Sequence, residues 1–242
     1  MTQQLLARHG VLTREAIGAE AVPGGFGVVY PVLKGMEENG RIRRGYFVAG
    51  LGATQFALPG ALDLLRSMRD APDEVEIAVL AATDPANPYG GTLKFPAFAA
   101  EASPAGASAG QARREVAERA ARRPTRSVGA TVILVNGALA AYLARGDRQL
   151  LTFLPEAEPT RSKVARAVAH VLIDRARSGG DAPRGMLIEE IDGVAPSQHP
   201  MGTFLGEAGF VAGALGYQAT FRRTVAGQEG RRQEGRNAGQ EG

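Results

Sequence analysis

Apolar residues in the first quarter of the chain recur at helical spacing. The clearest stripe follows spacings of three, four and three residues and consists of Phe26, Val29, Leu33 and Met36. It predicts a helix that ends at Asn39-Gly40, because both residue types readily take the left-handed conformation that closes a helix. Two shorter helices are predicted before it, one ending at Gly10 and one beginning after the N-cap candidate Thr13.

A basic, glycine-rich stretch follows this third helix. Residues 41–56 predict two short strands joined by a Gly-rich turn, and a further helix is predicted over residues 59–68. Three helices followed by a two-stranded wing is the element order of a winged helix. The first quarter of the chain is therefore predicted to be a winged-helix module.

The pattern beyond residue 70 is rich in β structure. Asn136-Gly137, between two apolar runs, is the strongest hairpin signal in the chain. The predicted strands cover residues 77–82, 128–135, 139–144, 149–154, 186–191, 210–211 and 216–221, and the predicted helices cover residues 159–178 and 197–206. The fold class is therefore α+β, a winged helix followed by a small antiparallel β-barrel or curled sheet with packed helices.

Changes in composition suggest the domain boundaries. We expect a winged helix over residues 1–70, a β-barrel-like domain over 71–223 and a disordered tail over 224–242. An insertion over residues 97–126 interrupts the second domain. Its first half, 99–110, has the composition of a flexible linker, and its charged second half, 111–123, fits a surface helix or a solvated loop.

Overall composition narrows the function classes. The 242 residues include no cysteine, which excludes disulfides and thiol catalysis. No apolar run approaches the roughly 20 residues of a membrane span, so we expect a cytoplasmic protein without membrane contacts. The net charge of +3 and the isoelectric point of about 9.5 permit nucleic-acid binding without proving it.

The candidate nucleic-acid contacts lie at the wing and on the helix before it. Arg41, Arg43 and Arg44 are candidates for phosphate contacts, and Lys34 lies on the third helix, which would enter the major groove. Glu37 and Glu38 make that helix a poor base reader. A scaffold or dimerisation winged helix is therefore the open alternative.

The run Asp84-Pro85-Ala86-Asn87-Pro88-Tyr89-Gly90-Gly91 predicts a fixed, irregular loop. In a functional interpretation, Asp84 and Tyr89 are exposed and contact a ligand or separate strands. In a structural interpretation, which we favour, the loop is an elbow in which Asp84 and Asn87 cap backbone N–H groups.

Several catalytic signatures are missing from the chain. No phosphate-binding Gly-x-x-x-x-Gly-Lys-[Ser/Thr] loop occurs, so these residues contain no ATP-driven motor. No Gly-x-Ser-x-Gly elbow occurs, and the isolated residues His9, His170 and His199 do not form a metal-site pattern.

Four long motifs of the chain are specific enough to compare with known families. They are Val22-Pro23-Gly24-Gly25-Phe26, Arg43-Arg44-Gly45-Tyr46-Phe47-Val48, Ala81-Ala82-Thr83-Asp84-Pro85-Ala86-Asn87-Pro88-Tyr89-Gly90 and the hairpin around Asn136-Gly137. These motifs resemble the C-terminal region of Lhr, the large helicase-related proteins of bacteria, and the resemblance covers roughly residues 5–223.

The resemblance implies a nucleic-acid-binding and assembly region of an ATP-dependent helicase. Family members move 3′ to 5′ on single-stranded DNA, unwind DNA or RNA–DNA duplexes and act in DNA repair. ATP and Mg²⁺ would belong to the motor, so we expect no cofactor in these residues. The partners implied are single-stranded DNA or a DNA or RNA–DNA duplex, the motor domains of the same protein, and further copies in a homo-oligomer.

The resemblance also implies an alternative function. The region is similar to AlkZ-type DNA glycosylases, and a uracil-DNA glycosylase activity is assigned to it in some family members. Two departures separate this chain from those enzymes: it has no Gln-x-Gln pair, and no Asp follows Asp192. Asp84 and Asp192 are therefore the loop acids that we consider as catalytic candidates.

Overall fold

The computed structural model describes residues 1–69, 72, 74–96, 123–178 and 184–219. The predicted linker 99–110 and the predicted tail 224–242 lie outside the described residues. So does the predicted surface helix 111–123, apart from its last residue, Arg123.

The N-terminal elements form a winged helix, as the sequence predicts. Their order is α1 (Thr2–His9), β1 (Val11–Leu12), α2 (Arg14–Ala19), α3 (Gly25–Glu38), β2 (Arg43–Gly45), β3 (Gln55–Ala57) and α4 (Pro59–Ser67). The Thr13 hydroxyl accepts the Ala16 N–H at 3.1 Å, which confirms it as the cap of α2. α3 ends at Glu38, and Gly40 takes the predicted left-handed conformation just after it, at φ 68°.

The wing contains a third strand that the sequence pattern does not predict. β1 pairs with β3, which in turn pairs with β2, so the sheet order is β1-β3-β2. Two residues are too few for an alternating pattern, and the run Val11-Leu12 carries no turn signal of its own. The core under this sheet is closed by large, fully buried side chains, among them Leu6, Leu12, Ile17, Leu33 and Phe56.

A five-stranded sheet organises the second part of the chain. Its strands, in spatial order, are β4 (Ile77–Ala81), β5 (Thr131–Val135), β6 (Ala138–Leu143), β7 (Gln149–Thr152) and β9 (Glu190–Ile191). Asn136 and Gly137 have φ values of 50° and 77°, which is the two-residue hairpin turn that the sequence predicts between β5 and β6.

Both faces of this sheet are covered. Ile133, Val135 and Leu143 belong to one cluster with α5 (Thr160–Arg177) and α6 (Met201–Ala208). The alternate positions Val132, Leu134 and Tyr142 belong to a second cluster, which the loop after β4 covers with Tyr89 and Phe95. The near-continuous apolar runs of β5 and β6 therefore follow from burial on both faces.

The predicted barrel is not confirmed. β8 (Met186–Ile188), β10 (Val211–Gly213) and β11 (Gly216–Ala219) form a separate sheet of order β10-β11-β8, and the described strands close into no barrel. The predicted strand 186–191 divides at Glu189, whose N–H donates to the Arg148 carbonyl at 2.8 Å as the chain passes from one sheet to the other. The β7–β9 pair is parallel, so the sheet is not purely antiparallel.

Two smaller predictions differ from the structure. The predicted strand 77–82 forms β4, but its residues Ile77 and Val79 are 43% and 45% exposed because β4 lies at the edge of the sheet. The predicted helix 197–206 begins later, at Met201 of α6, because Ser197 lies within a short 3-10 helix (Pro196–Gln198). Within the described parts of the chain, none of the helices has the length and apolarity to cross a membrane.

Candidate nucleic-acid interface and the buried carboxylate

A single buried side chain organises the wing. Gln55 is fully buried, and its Oε1 accepts the N–H groups of Phe47 at 2.9 Å and Val48 at 2.8 Å. Its Nε2 donates to the carbonyls of Val48 at 2.9 Å and Gly52 at 3.0 Å. These four hydrogen bonds lie beyond the β2–β3 ladder, which ends at the pair Gly45 and Gln55, so the wing loop has a defined shape without regular structure.

Glu15 fastens the tip of the wing to α2. Its Oε1 accepts the Gly52 N–H at 3.2 Å. The pKa of this carboxyl is lowered, above all by the hydrogen bond from its own backbone N–H; burial opposes the shift, and the Thr13 hydroxyl and the Gly52 N–H reinforce it. The ionised form of Glu15 therefore holds the wing against the helical part of the module.

The predicted basic contacts divide into two groups. Arg44 Nε lies 3.2 Å from Glu37 Oε1, and Lys34 Nζ lies 3.8 Å from Glu38 Oε1, so α3 supplies carboxylates to both. Arg41 and Arg43 are exposed and have no ion-pair partner among the described residues. The charge available for phosphate is thus concentrated on β2 and the residues before it.

The loop that begins at Asp84 is a hydrogen-bonded elbow. Asp84 Oδ1 accepts the Ala86 N–H at 2.8 Å, and Asn87 Oδ1 accepts the Tyr89 N–H at 3.0 Å, so both side chains cap backbone N–H groups as the structural interpretation expects. A catalytic role of Asp84 stays a prediction. The Tyr89 ring stacks on Phe95 with centroids 6.2 Å apart, and its hydroxyl accepts the Leu139 N–H at 3.2 Å. This packing favours a structural role for Tyr89, although its predicted contact with nucleic acid stays a prediction.

Arg126 locks this elbow from the far side of the insertion. Its guanidinium donates to the carbonyl oxygens of Asn87 at 2.6 Å and Asp84 at 3.0 Å, and more weakly to those of Tyr89 and Thr83 at 3.3 Å. In the sequence, Arg126 is the last residue of the predicted insertion 97–126 and has no predicted role. No local signal identifies it as a clamp, because its partners lie about forty positions earlier in the chain.

Asp192 lies in a buried polar cluster. It occupies a turn at φ 50°, is 6% exposed, and lies in the segment that follows β9. Its Oδ1 accepts the Thr152 N–H at 2.7 Å, and its Oδ2 accepts the Thr152 hydroxyl at 2.6 Å and lies 3.1 Å from His199 Nε2. Asp192 is predicted from sequence as a loop acid without these partners, and His199 is predicted to be isolated; the structure brings the two side chains together.

The His199 ring is held at both of its nitrogen atoms. Nδ1 accepts the Met201 N–H at 3.1 Å, so in the neutral ring the proton lies on Nε2 and points to Asp192. Both ring nitrogens therefore have partners within the protein. In this arrangement the cluster joins β7 to the start of α6, which is a structural task.

The two catalytic candidates are held by different partners. Asp84 is bound within its own loop, Asp192 is bound by Thr152 and His199, and no described contact joins the two carboxylates. Among the residues that the structure describes, no group of three or more histidine and acidic side chains could hold a metal ion.

Comparison with known proteins agrees with the winged-helix geometry. Residues 1–77 match the winged-helix domain of a family described as large helicase-related protein. The match covers all elements from α1 to α4 and ends at the first residue of β4.

Two curated relatives extend the similarity over most of the chain. The chain is 45% identical over 195 residues to a protein of Mycolicibacterium smegmatis named Lhr helicase/probable uracil glycosylase, covering 79% of this chain and 11% of the relative. It is 32% identical over 219 residues to the Lhr helicase/uracil glycosylase of Escherichia coli, covering 89% of this chain and 12% of the relative. The chain thus spans about a tenth of the length of these relatives.

Proposed function

Because the chain belongs to the large helicase-related (Lhr) family, we propose that it is a nucleic-acid-binding and assembly region of an Lhr-type helicase. In this proposal the motor domains, with their ATP and Mg²⁺, belong to other parts of the protein. The whole protein moves 3′ to 5′ on DNA, unwinds DNA or RNA–DNA duplexes and acts in DNA repair. The region described by the structure contributes a grip on the strand and contacts between subunits and with the motor.

The observation that carries the proposal is the basic edge of a rigid wing. Arg41 and Arg43 are exposed beside a loop whose shape Gln55 fixes through four hydrogen bonds. Guanidinium groups on a preorganised surface bind phosphate without a large loss of side-chain or loop entropy. The carboxylates of Glu37 and Glu38 on α3 disfavour base reading, so binding is expected to be largely independent of sequence.

The test compares two double variants of the complete chain. Arg41→Ala with Arg43→Ala removes the basic edge, whereas Arg148→Ala with Arg161→Ala removes the same charge from exposed positions outside the winged helix. We expect the wing variant to lose about tenfold or more in affinity per arginine, because hydrogen bonds to charged groups contribute about 1.5–3 kcal/mol. The measurement is fluorescence anisotropy with single strands and duplexes of several sequences.

Equal losses in both double variants would contradict a grip localised at the wing. A loss that depends strongly on base sequence would contradict phosphate contact as its physical basis.

Assembly is supported by the edge strand β4. Ile77 and Val79 are apolar and exposed on one face of a strand whose outer edge has no partner strand among those described. If this edge joins copies into a homo-oligomer, Val79→Lys lowers the mass found by sedimentation. Ala78→Lys, which alters the opposite face of the same strand, is the matched control, and unchanged mass for Val79→Lys would contradict the assignment.

Uracil removal is the second candidate function, and the printed names of both relatives favour it. Base excision needs a carboxylate near the sugar and a pocket for a flipped base. Asp192 has one unused lone-pair direction, since its two oxygens accept three hydrogen bonds in total. Because Asp192 is only 6% exposed, however, catalysis by its carboxylate would require that His199 or Thr152 move away and admit the substrate.

The discriminating assay incubates the complete chain with uracil-containing single-stranded DNA and then applies alkali. The glycosylase function is supported if the unmodified chain produces strand breaks, if Asp192→Asn abolishes them and if Asp84→Asn leaves them unchanged. Thermal unfolding of both variants separates lost chemistry from lost structure. The absence of breaks with the unmodified chain leaves the binding and assembly function.

A further inference from the structure

An open groove lies between α2, α3 and the end of the wing loop. Its volume is about 580 Å³. The residues that line it are Arg14, Gly18, Phe26, Gly27, Tyr30 and Thr54. None of these residues belongs to the basic edge formed by Arg41 and Arg43, so the groove is a separate feature of the winged helix.

The floor of the groove is aromatic and rigid. The Arg14 guanidinium lies 5.3 Å from the centroid of the Phe26 ring, and Phe26 lies 5.6 Å from Tyr30, centroid to centroid. Tyr30 in turn meets the fully buried ring of Phe56 edge-on at 6.0 Å. The partly exposed rings are therefore backed by the core, which fixes their orientation before any ligand arrives.

Two glycines keep the groove open. A Cβ atom added at Gly18 or at Gly27 would meet no other atom within 4 Å. Both residues are exposed and lie on helices, where glycine costs stability relative to alanine. The absence of side chains at these two positions leaves the Phe26–Tyr30 platform accessible.

We infer that this groove holds an unstacked base of single-stranded nucleic acid. Aromatic rings and guanidinium planes are the surfaces on which splayed bases stack, and such stacking tolerates every base. Here the base lies against the Arg14–Phe26 unit. Tyr30 also lines the groove, and its hydroxyl has no hydrogen-bond partner among the described residues, so in this proposal it can donate to the base or the sugar.

The position of the groove connects it to the basic edge. Thr54, on the groove wall, directly precedes β3, and β3 pairs with β2, which carries Arg43. Gly45 lies opposite Gln55 and Arg43 lies opposite Ala57, so Arg43 is two positions along β3 from the groove end of the strand. In this proposal, a strand whose phosphates contact Arg41 and Arg43 places a nearby base in the groove. A duplex offers no free base face, so the site selects single strands. This inference rests on the proposed nucleic-acid binding and identifies the single strand as its substrate.

The test fills the groove without disturbing the helix. Gly27→Leu places a side chain in the open space and replaces a poor helix former with a good one. Gly35→Leu is the matched control, because Gly35 lies on the same helix, also has open space at its Cβ and does not line the groove. Binding of the complete chain is measured for a mixed-sequence single strand, for the same strand with abasic sites, and for the duplex.

The expected result is specific to one variant and one substrate. Gly27→Leu weakens binding of the intact single strand about five- to a hundredfold, while Gly35→Leu changes it little. The abasic strand, which keeps its phosphates, binds both variants and the unmodified chain equally. The effect of Gly27→Leu keeps the same size at every salt concentration, because stacking releases no counterions.

Other outcomes separate the two proposals. Tight binding that Gly27→Leu leaves unchanged overturns the groove inference and leaves the basic edge intact. An equal loss on the abasic strand or on the duplex also overturns it, because the groove would then not recognise a base. Absence of any binding by the unmodified chain overturns both proposals.

Discussion

The shape of the wing is expected to depend on one amide, and Gln55→Leu tests this directly. The substitution keeps the volume of the side chain roughly constant and leaves a buried position apolar. It removes all four hydrogen bonds that Gln55 makes to the backbone of Phe47, Val48 and Gly52. The N–H groups and carbonyls released by the substitution must then find water or remain unpaired.

The magnitude follows from the number of bonds and their surroundings. A typical hydrogen bond contributes about 0.5–1.5 kcal/mol net, so four of them sum to about 2–6 kcal/mol. The four bonds at Gln55 are only partly buried, and water can replace some of them after a local rearrangement. The added burial of an apolar side chain offsets a further part. We therefore expect a net loss of about 2–3 kcal/mol in the free energy of unfolding.

Two measurements test the expected loss of stability. Urea unfolding gives the change in free energy, and amide hydrogen exchange gives the local protection of Phe47 and Val48. Gln149→Leu is the control, because Gln149 is an exposed glutamine on β7 whose side chain makes no hydrogen bond with the described residues. If Gln55→Leu leaves the protection of both amides unchanged, the amide does not organise the wing and the reasoning fails.

Three further predictions concern the remaining polar anchors. The pKa of Glu15 is lowered below its ordinary value of 4.5, so the stability that its ionised form contributes is complete above that pH and is lost as the pH falls through the folded-state pKa. Glu15→Gln should therefore flatten the loss of stability that an acid titration measures below about pH 4.5. An unchanged acid profile in this variant would contradict the prediction. Asp192→Asn should lower the free energy of unfolding, measured with urea, by about 1.5–3 kcal/mol for each charged hydrogen bond lost to Thr152 or His199. A decrease of less than about 0.5 kcal/mol would show that the cluster does not stabilise the fold. Arg126→Ala should make the loop that begins at Asp84 exchange its amide protons faster and become sensitive to proteolysis. Arg145→Ala, at an exposed position, is the control and should change neither property. Equal behaviour of the two variants would contradict the role of Arg126 in holding the loop.

Local signals explain why the winged helix is predictable from sequence. The stripe on α3 is buried at Val29 and Leu33, and its closing glycine, Gly40, takes the left-handed conformation expected of it. The hairpin at Asn136-Gly137 follows from two residues that tolerate positive φ. Each of these features is set by neighbours within a few positions of the chain.

The features that prediction missed depend on contacts between distant residues. In the sequence, Gln55 is one polar residue of a predicted strand. Its role depends on its position under the wing loop, where it hydrogen-bonds the loop backbone. Thr152, Asp192 and His199 converge because β7 pairs with β9, and that pairing joins residues about forty positions apart. The number of strands and their hydrophobic pattern favour a barrel, but they cannot show which strands pair. The structure has two separate sheets because the chain passes from one to the other at Glu189.

The functional candidates show the same division. The exposure of Arg41 and Arg43 at the wing follows from local pattern, and their contact with nucleic acid stays a prediction. The pairing of Arg44 with Glu37, by contrast, depends on how β2 packs against α3. The groove at Phe26 and Tyr30 was not predicted, since both rings belong to the stripe or face that helical periodicity assigns to the core.

The salt dependence of single-strand binding is the most direct test of a phosphate grip at the wing. The affinity of the complete chain and of the Arg41→Ala, Arg43→Ala variant is measured over a range of salt concentrations. Each phosphate contact on a single strand contributes about 0.7 to the slope of log affinity against log salt, so removing two should reduce the slope by about 1.4. A parallel shift with an unchanged slope, or binding by the unmodified chain that is insensitive to salt, would contradict the account.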